Sequence, residues 1–232
     1  MDRLLQQLKS QRLSLIVACP ANSLELALAA ERSGAHAIKV HINMTHRASK
    51  VVFGTLDQER PVLEEILGRV RVPVGIVPGA SLAVGPADIE ALAGMGFDFF
   101  DMFAHFIRPQ LLAVPGISRM AAVDSSFDWP TIEELTRSPG VQMLEGAIIP
   151  TSGYGERLSI VDLARYRLLR AHCHVPLVIP SQRTLIPDDV PALAEAGVDA
   201  IMIGVLSTGR EPDELARQVA AFRQAIETLP PH

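Results

Sequence analysis

The stretch LSLIVACPANSLELALAAERSGAHAIKVHIN (13–43) decides the fold. It opens on an apolar run, LSLIVAC, that reads as a buried strand. A helical stretch, SLELALAAERSG, follows, with Asn22 or Ser23 available to cap it. Gly34 then supplies the left-handed residue that closes a helix, and AHAIKVHIN turns into a second apolar strand. A strand, a helix and a second strand in this order make a parallel pair joined by a right-handed crossover.

The same unit recurs along the chain. LAGMGFDFFDM (92–102) and LAEAGVDAIMI (193–203) repeat the helix end, glycine and apolar strand, while VRVPVGIV (70–77) and CHVPLVIP (173–180) lead into strands through proline. Strands are expected at 13–19, 36–42, 73–77, 97–103, 118–123, 142–147, 176–180 and 200–204. Helical stretches separate most of them, and RPQLLAV (108–114) offers at most two turns after the fourth. Eight units in 232 residues predict a single (β/α)8 TIM barrel. A doubly wound sheet would need a glycine-rich turn after the first strand, where this chain has CPANS. No linker or low-complexity tract divides the chain, so residues 1–232 are expected to form one domain. Residues 1–12 should form a short helix over the barrel's bottom.

Composition narrows the function. A formal net charge of −5 leaves no basic excess for nucleic acid or an anionic membrane, so neither is an expected partner. Cys19 and Cys173 are too few for a disulfide framework or a thiolate zinc site, and a cytoplasmic location follows as the expectation. The polar QQLKSQR before LSLIVAC does not resemble an export core. Apolar helices such as LSIVDLARYRLLRA make a homo-oligomer plausible.

Barrel enzymes place their chemistry at the carboxyl ends of the strands. In AIKVHIN, Ile38, Val40 and Ile42 share one face, so Lys39, His41 and Asn43 share the other and should point into the barrel. The same alternation offers Asp101, Phe103 and His105 from strand four, Asp124 from strand five and Glu145 from strand six. Lys39, His41, Asp101, Asp124 and Glu145 are therefore the candidate catalytic residues. Crowded carboxylates need a cation or a raised pKa, which is the condition of an acid/base pair. A divalent metal would relieve the same crowding, with Asp101, His105, Asp124 and Glu145 as its candidate ligands. No cofactor is otherwise required, and a structural Lys39–Glu145 ion pair is the alternative. Asp98 and Asp199 sit at strand starts and should serve structure at the bottom.

Two loops suggest an anion site. PSQRT (180–184) and GVLSTGREP (204–212) follow strands seven and eight, where many barrels bind phosphate. Ser181, Gln182, Arg183, Gly204, Val205, Ser207, Thr208 and Gly209 are the candidates, joined by the start of the last helix at Pro212. Glu211 must then point to solvent. HINMTHRASK (41–50) lies in an expected loop from Asn43 to Glu59 over the mouth, and PTSGYGER (150–157) is a second such loop.

LIVACPANSLELALAAERSGAHAIKVHIN, VPVGIVPG and PSQRTLIPDDVPALAEAGVDAIMIGVLSTGREP together resemble the N-acetylmannosamine-6-phosphate 2-epimerases. The resemblance implies a barrel of the ribulose-phosphate-binding type. It places that family's strand-two arginine at Lys39 and its glycine pair near Gly204 and Val205. The family's strand-three lysine falls at Pro78 and its strand-seven acid at Pro180 and Ser181. With both proton-transfer positions changed, that epimerase activity is not expected. The expectation is an isomerase, epimerase or lyase of a small phosphorylated, sugar-like substrate, working by acid/base or Schiff-base chemistry. SLELALAAERSGAHAI also resembles the copper-homeostasis barrels, which implies a non-catalytic or metal-handling alternative.

Overall fold

A computed structural model describes residues 2–230. Met1, Pro231 and His232, which fall within the expected 1–232 domain and, for Met1, the expected N-terminal helix, lie outside the described residues. Eight parallel strands close into a barrel: β1 (Ser14–Ala18), β2 (Ala37–His41), β3 (Val74–Val77), β4 (Phe99–Phe103), β5 (Ser118–Asp124), β6 (Met143–Ala147), β7 (Leu177–Pro180) and β8 (Ala200–Ile203). Each pairs with its sequence neighbours, and β1 pairs with β8 to complete the ring. The chain is thus a (β/α)8 barrel.

The helices are α1 (Arg3–Ser10), α2 (Leu24–Arg32), α3 (Leu56–Arg69), α4 (Pro86–Met95), α5 (Trp129–Arg137), α6 (Ile160–Ala171), α7 (Val190–Glu195), α8 (Val205–Thr208) and α9 (Pro212–Glu227). Between β4 and β5 the crossover contains only two 3-10 turns, Ala104–Phe106 and Pro109–Ala113. Among the described residues no helix is long and apolar enough to cross a membrane.

The strand register stacks inward-facing side chains in layers, and each layer draws on alternate strands. Ala37, Phe99, Met143 and Ala200 form one layer, and Ile16, Gly75, Met120 and Val178 the next. A Cβ at Gly75 would lie 2.1 Å from the Phe99 ring, so this glycine makes the space that the ring fills. Leu4 and Leu8 of α1 pack onto this apolar plug from below. Asp98 accepts from Arg3 at 2.6 and 2.8 Å and from the Val74 N–H at 2.9 Å. Asp199 accepts from Arg170 at 2.8 Å and from the Leu177 N–H at 2.7 Å. Both aspartates tie strand starts together at the bottom.

One expectation fails. The segment from Asn43 to Glu59 is not an open loop: Met44–Thr45 and Val52–Phe53 form an antiparallel hairpin, and α3 begins at Leu56. The Thr55 side chain accepts from the Gln58 N–H, and the Gln58 side-chain oxygen accepts from the Thr55 N–H. That capping box starts the helix ahead of Glu59.

Candidate functional site

Above the apolar plug the next layer is charged. Lys39 of β2, Asp101 of β4 and Glu145 of β6 occupy it, with Met202 of β8 as the fourth member. The Lys39 ammonium donates to Asp101 at 2.6 Å and to Glu145 at 2.9 Å. All three are nearly enclosed, at 5%, 2% and 8% exposure. The layer above consists of Ala18, Val77, Ala122 and Pro180, whose short side chains leave a well over the charged group. A cavity of about 560 Å³ opens there, with Lys39, Asp101 and Glu145 on its floor.

Burial alone would lower the Lys39 pKa, but Asp101 and Glu145 outweigh it and raise it above the ordinary lysine value. Asp101 is pushed well above the carboxylate range, first by burial and then by Glu145. Burial works against ionised Glu145 too, yet Lys39 and a hydrogen bond from Asp101 hold its pKa down. The chemistry consistent with these directions is one proton held on Asp101 and shared toward Glu145, beside a permanent ammonium. It also accounts for Asp101 Oδ1, which is buried without a partner if the group is read as a carboxylate.

His41 lines the cavity from the same strand as Lys39. Its ring stacks on Phe53 at 4.9 Å and lies 4.9 Å from His46. Burial, with Lys39 nearby, drives its pKa well below the ordinary value, and its Nδ1 is buried without a partner. His41 is thus a neutral wall of the site. His46 is capped by Ser49, and Arg210 donates to the Ser49 carbonyl, so the hairpin is tied to the loop after β8.

Asp124 stands apart from this group. It accepts from the Ser126 N–H at 2.9 Å and hydroxyl at 2.6 Å, which hold its pKa down against partial burial. It borders a side recess of about 250 Å³ with Arg47, Ser126 and Tyr154. His105 is exposed beside Ser126 and the Phe127 ring. The expected metal ligands therefore split into two pairs, Asp101 with Glu145 and Asp124 with His105, and the first pair already holds Lys39. Among the described residues no three His, Cys, Asp or Glu side chains gather as a cation site. Cys19 follows β1 at the mouth and Cys173 precedes β7 at the other end; both are buried, and burial pushes the Cys19 thiol up to about 12.

The anion loops are partly reassigned. A one-turn helix, α8, stands between β8 and α9, and its start at Gly204, Val205 and Leu206 lines the cavity with Ser181. Pro212 begins α9 beyond this turn, away from the lining, and Glu211 is exposed. Gly204 N–H donates to the Ser181 hydroxyl at 2.8 Å, while the first-turn N–H groups of Val205 and Leu206 have no partner within the helix.

Several expected phosphate ligands have other duties. The Gln182 side chain is buried and bonds Ile149, Ala147 and the Tyr154 hydroxyl, pinning the loop after β6. Arg183 is not an open fork, because it binds Asp162 at 3.0 and 3.1 Å as well as Glu156 and the Gly153 carbonyl. Ser207 accepts from the Leu185 N–H, and Thr208 is fully buried and bonds Gly209. The partners of Gln182, Arg183 and Ser207 are distant in the chain, that of Ser207 being Leu185 on the loop of Arg183, so local spacing could not display them. Tyr154 lines the cavity and accepts from Gln182, which leaves its own O–H to donate elsewhere. Met44 and Leu56, from the segment expected over the mouth, also line the cavity, as do Val84 and Leu92, to which the sequence assigns no role.

No protein-family profile and no curated protein matches the chain. Solved barrels do. A phosphoribosyl anthranilate isomerase from Thermus thermophilus superposes with a TM-score of 0.67 at 16% identity, covering 93% of this chain and 99% of that one. A thiamine phosphate pyrophosphorylase from Pyrococcus furiosus gives 0.66 at 15%, covering 94% and 96%. A mutant tryptophan synthase α-subunit from Pyrococcus furiosus gives 0.72 at 12%, covering 91% and 98%. At these identities the likeness is one of fold, and the resemblance to the N-acetylmannosamine-6-phosphate 2-epimerases is not shown by it.

Proposed function

We propose that the protein is an enzyme that moves protons on a small phosphorylated substrate, an isomerase in the first instance. The observation that carries this reading is the buried Lys39–Asp101–Glu145 group on the floor of an open cavity, at 2.6 and 2.9 Å. The phosphate is assigned to the start of α8, where Gly204, Val205 and Leu206 meet Ser181. Backbone N–H groups at such a turn suit an anion, and the phosphate would hold the reacting carbons over the floor. That the structural relatives include enzymes named for phosphorylated compounds supports the same class.

The chemistry follows from the proton inventory. Glu145 takes a proton from the carbon beside a carbonyl while Asp101 gives its proton to the carbonyl oxygen, forming an enediol. Glu145 then returns its proton to the neighbouring carbon, and Asp101 recovers one from the hydroxyl. Lys39 stays charged throughout and offsets the negative charge that develops on oxygen. A Schiff base on Lys39 is disfavoured, because the raised pKa keeps the amine protonated.

A thermal-shift screen of phosphorylated carbonyl and hydroxy compounds tests the reading. A true ligand raises Tm with the logarithm of its concentration, and Asp101→Asn should bind it but turn it over far more slowly. A screen in which no phosphate ester shifts Tm would remove the proposal.

A further inference from the structure

We infer that the ligand of this site carries an apolar group, ring-sized or branched, held in an arm of the cavity between the barrel wall and helices α3 and α4. The arm is lined by Ile42, Met44, Leu56, Val84, Leu92 and Met102. Ile42 and Met102 alternate with His41 and Asp101, so they face outward from the barrel. Together with Leu92 they belong to the apolar layer between strands and helices. The cavity therefore does not end above the charged floor. It passes between the strand ends and reaches into the outer core.

The six side chains named above offer a hydroxyl or a charge no N–H or O–H donor and no oxygen acceptor, although Asn43, Ser81 and Asp88 line the same cavity. Ile42, Leu92 and Met102 are exposed by only 2%, 1% and 2%. The nearby carboxylate, Asp88, is exposed, and one of its oxygens accepts from the Gly85 N–H at 2.7 Å, where it caps α4. A sugar hydroxyl placed against Ile42, Leu92 and Met102 would lose its hydrogen bonds to water and gain none from these side chains, and a trapped water would fare no better. An apolar group instead replaces water against six aliphatic or thioether side chains, and Met44, on the hairpin, can adapt to its shape. The volume of about 560 Å³ is also in the range of a ligand larger than a small phosphorylated sugar. The ligand so described has a polar, reacting end over Lys39 and an apolar end under the hairpin. The polar end rests on the function proposed above, while the apolar arm stands on its own lining.

Titration calorimetry of the full chain separates the two. Methyl phosphate, phenyl phosphate and uncharged benzyl alcohol are the probes. Phenyl phosphate should bind at least about tenfold tighter than methyl phosphate, from the apolar surface its ring buries. Ala83→Trp, at an exposed position of the lining, should bring phenyl phosphate down to the level of methyl phosphate and leave methyl phosphate unchanged. Leu56→Trp, from the start of α3, should do the same. Equal affinity of the two phosphates for the unaltered protein overturns the apolar arm and leaves the phosphate reading standing. Benzyl alcohol bound and expelled by Ala83→Trp, with neither phosphate bound, keeps the arm and overturns the phosphate reading. No binding of any probe overturns both.

Discussion

The two ends of the barrel handle charge in opposite ways. At the bottom, Asp98 and Asp199 each meet an arginine and a strand N–H, so each carboxylate has a charge partner and a backbone donor of its own. At the mouth, two carboxylates share one lysine, one carboxylate oxygen lacks a partner, and a cavity opens directly above. The bottom is a settled electrostatic arrangement that joins strands. At the mouth burial and Glu145 push the Asp101 pKa up while Lys39 holds that of Glu145 down, and carboxyls set apart in this way are suited to moving protons. On the function proposed above, the contrast separates charge that maintains a fold from charge that works on a ligand.

The largest expected difference between the ends is in turnover. Glu145→Gln and Asp101→Asn should each lower kcat for the substrate found by screening by roughly 10²- to 10⁴-fold. Asp199→Asn should leave kcat within a few-fold. Equal losses at both ends would erase the distinction.

Stability comes next. Lys39→Met leaves ionised Glu145 buried without its cation, and urea denaturation should report a loss of about 3–5 kcal/mol. Asp101→Asn should cost far less, because asparagine matches the protonated acid in charge and can still donate to Glu145. The triple replacement Lys39→Met, Asp101→Leu and Glu145→Met should recover most of the stability lost in Lys39→Met, while abolishing turnover. A triple variant as unstable as Lys39→Met would mean that the charged layer is structural, like the bottom.

Acid should weaken both ends. His36 lies at the start of β2, accepting from the Leu15 N–H at 2.8 Å, and His46 lies in the mouth hairpin. Burial lowers each to about 4, with Arg223 assisting at His36 and Lys39 at His46. Each is neutral when folded but takes a proton near pH 6.5 when unfolded. Their contribution is therefore present above about 6.5 and lost as pH falls toward about 4, at up to about 3 kcal/mol for each group. Urea midpoints at several pH values check this, and His46→Asn should remove about half of the slope.

The smallest effect belongs to the bottom. Asp199→Ala removes the acceptor of the Leu177 N–H and should cost about 1–3 kcal/mol, with ligand affinity unchanged by calorimetry. A matching loss of affinity would show that the two ends are coupled.

Much of the site was legible because strand parity is local. In AIKVHIN, a lysine and a histidine alternate with isoleucine and valine, and burial of one face assigns the polar set to the other. The helix-closing glycines and proline-led strands fixed the number of units, and the number fixed the barrel. What only the tertiary structure decided is which inward-facing acids meet. Lys39, Asp101 and Glu145 lie on β2, β4 and β6, and closure of the barrel brings alternate strands to one level. Asp124 has the same inward parity but belongs to β5, in the interleaved set and above Ala122, so it ends at the rim with Ser126. Arg183 and Gln182 likewise found their partners on the loop after β6, and the apolar arm formed where outward-facing residues of two strands met two helices. Alternation and capping act over a few residues and can be read from the chain. The level of a side chain around a closed barrel depends on the register of all eight strands, and no local stretch of sequence contains it.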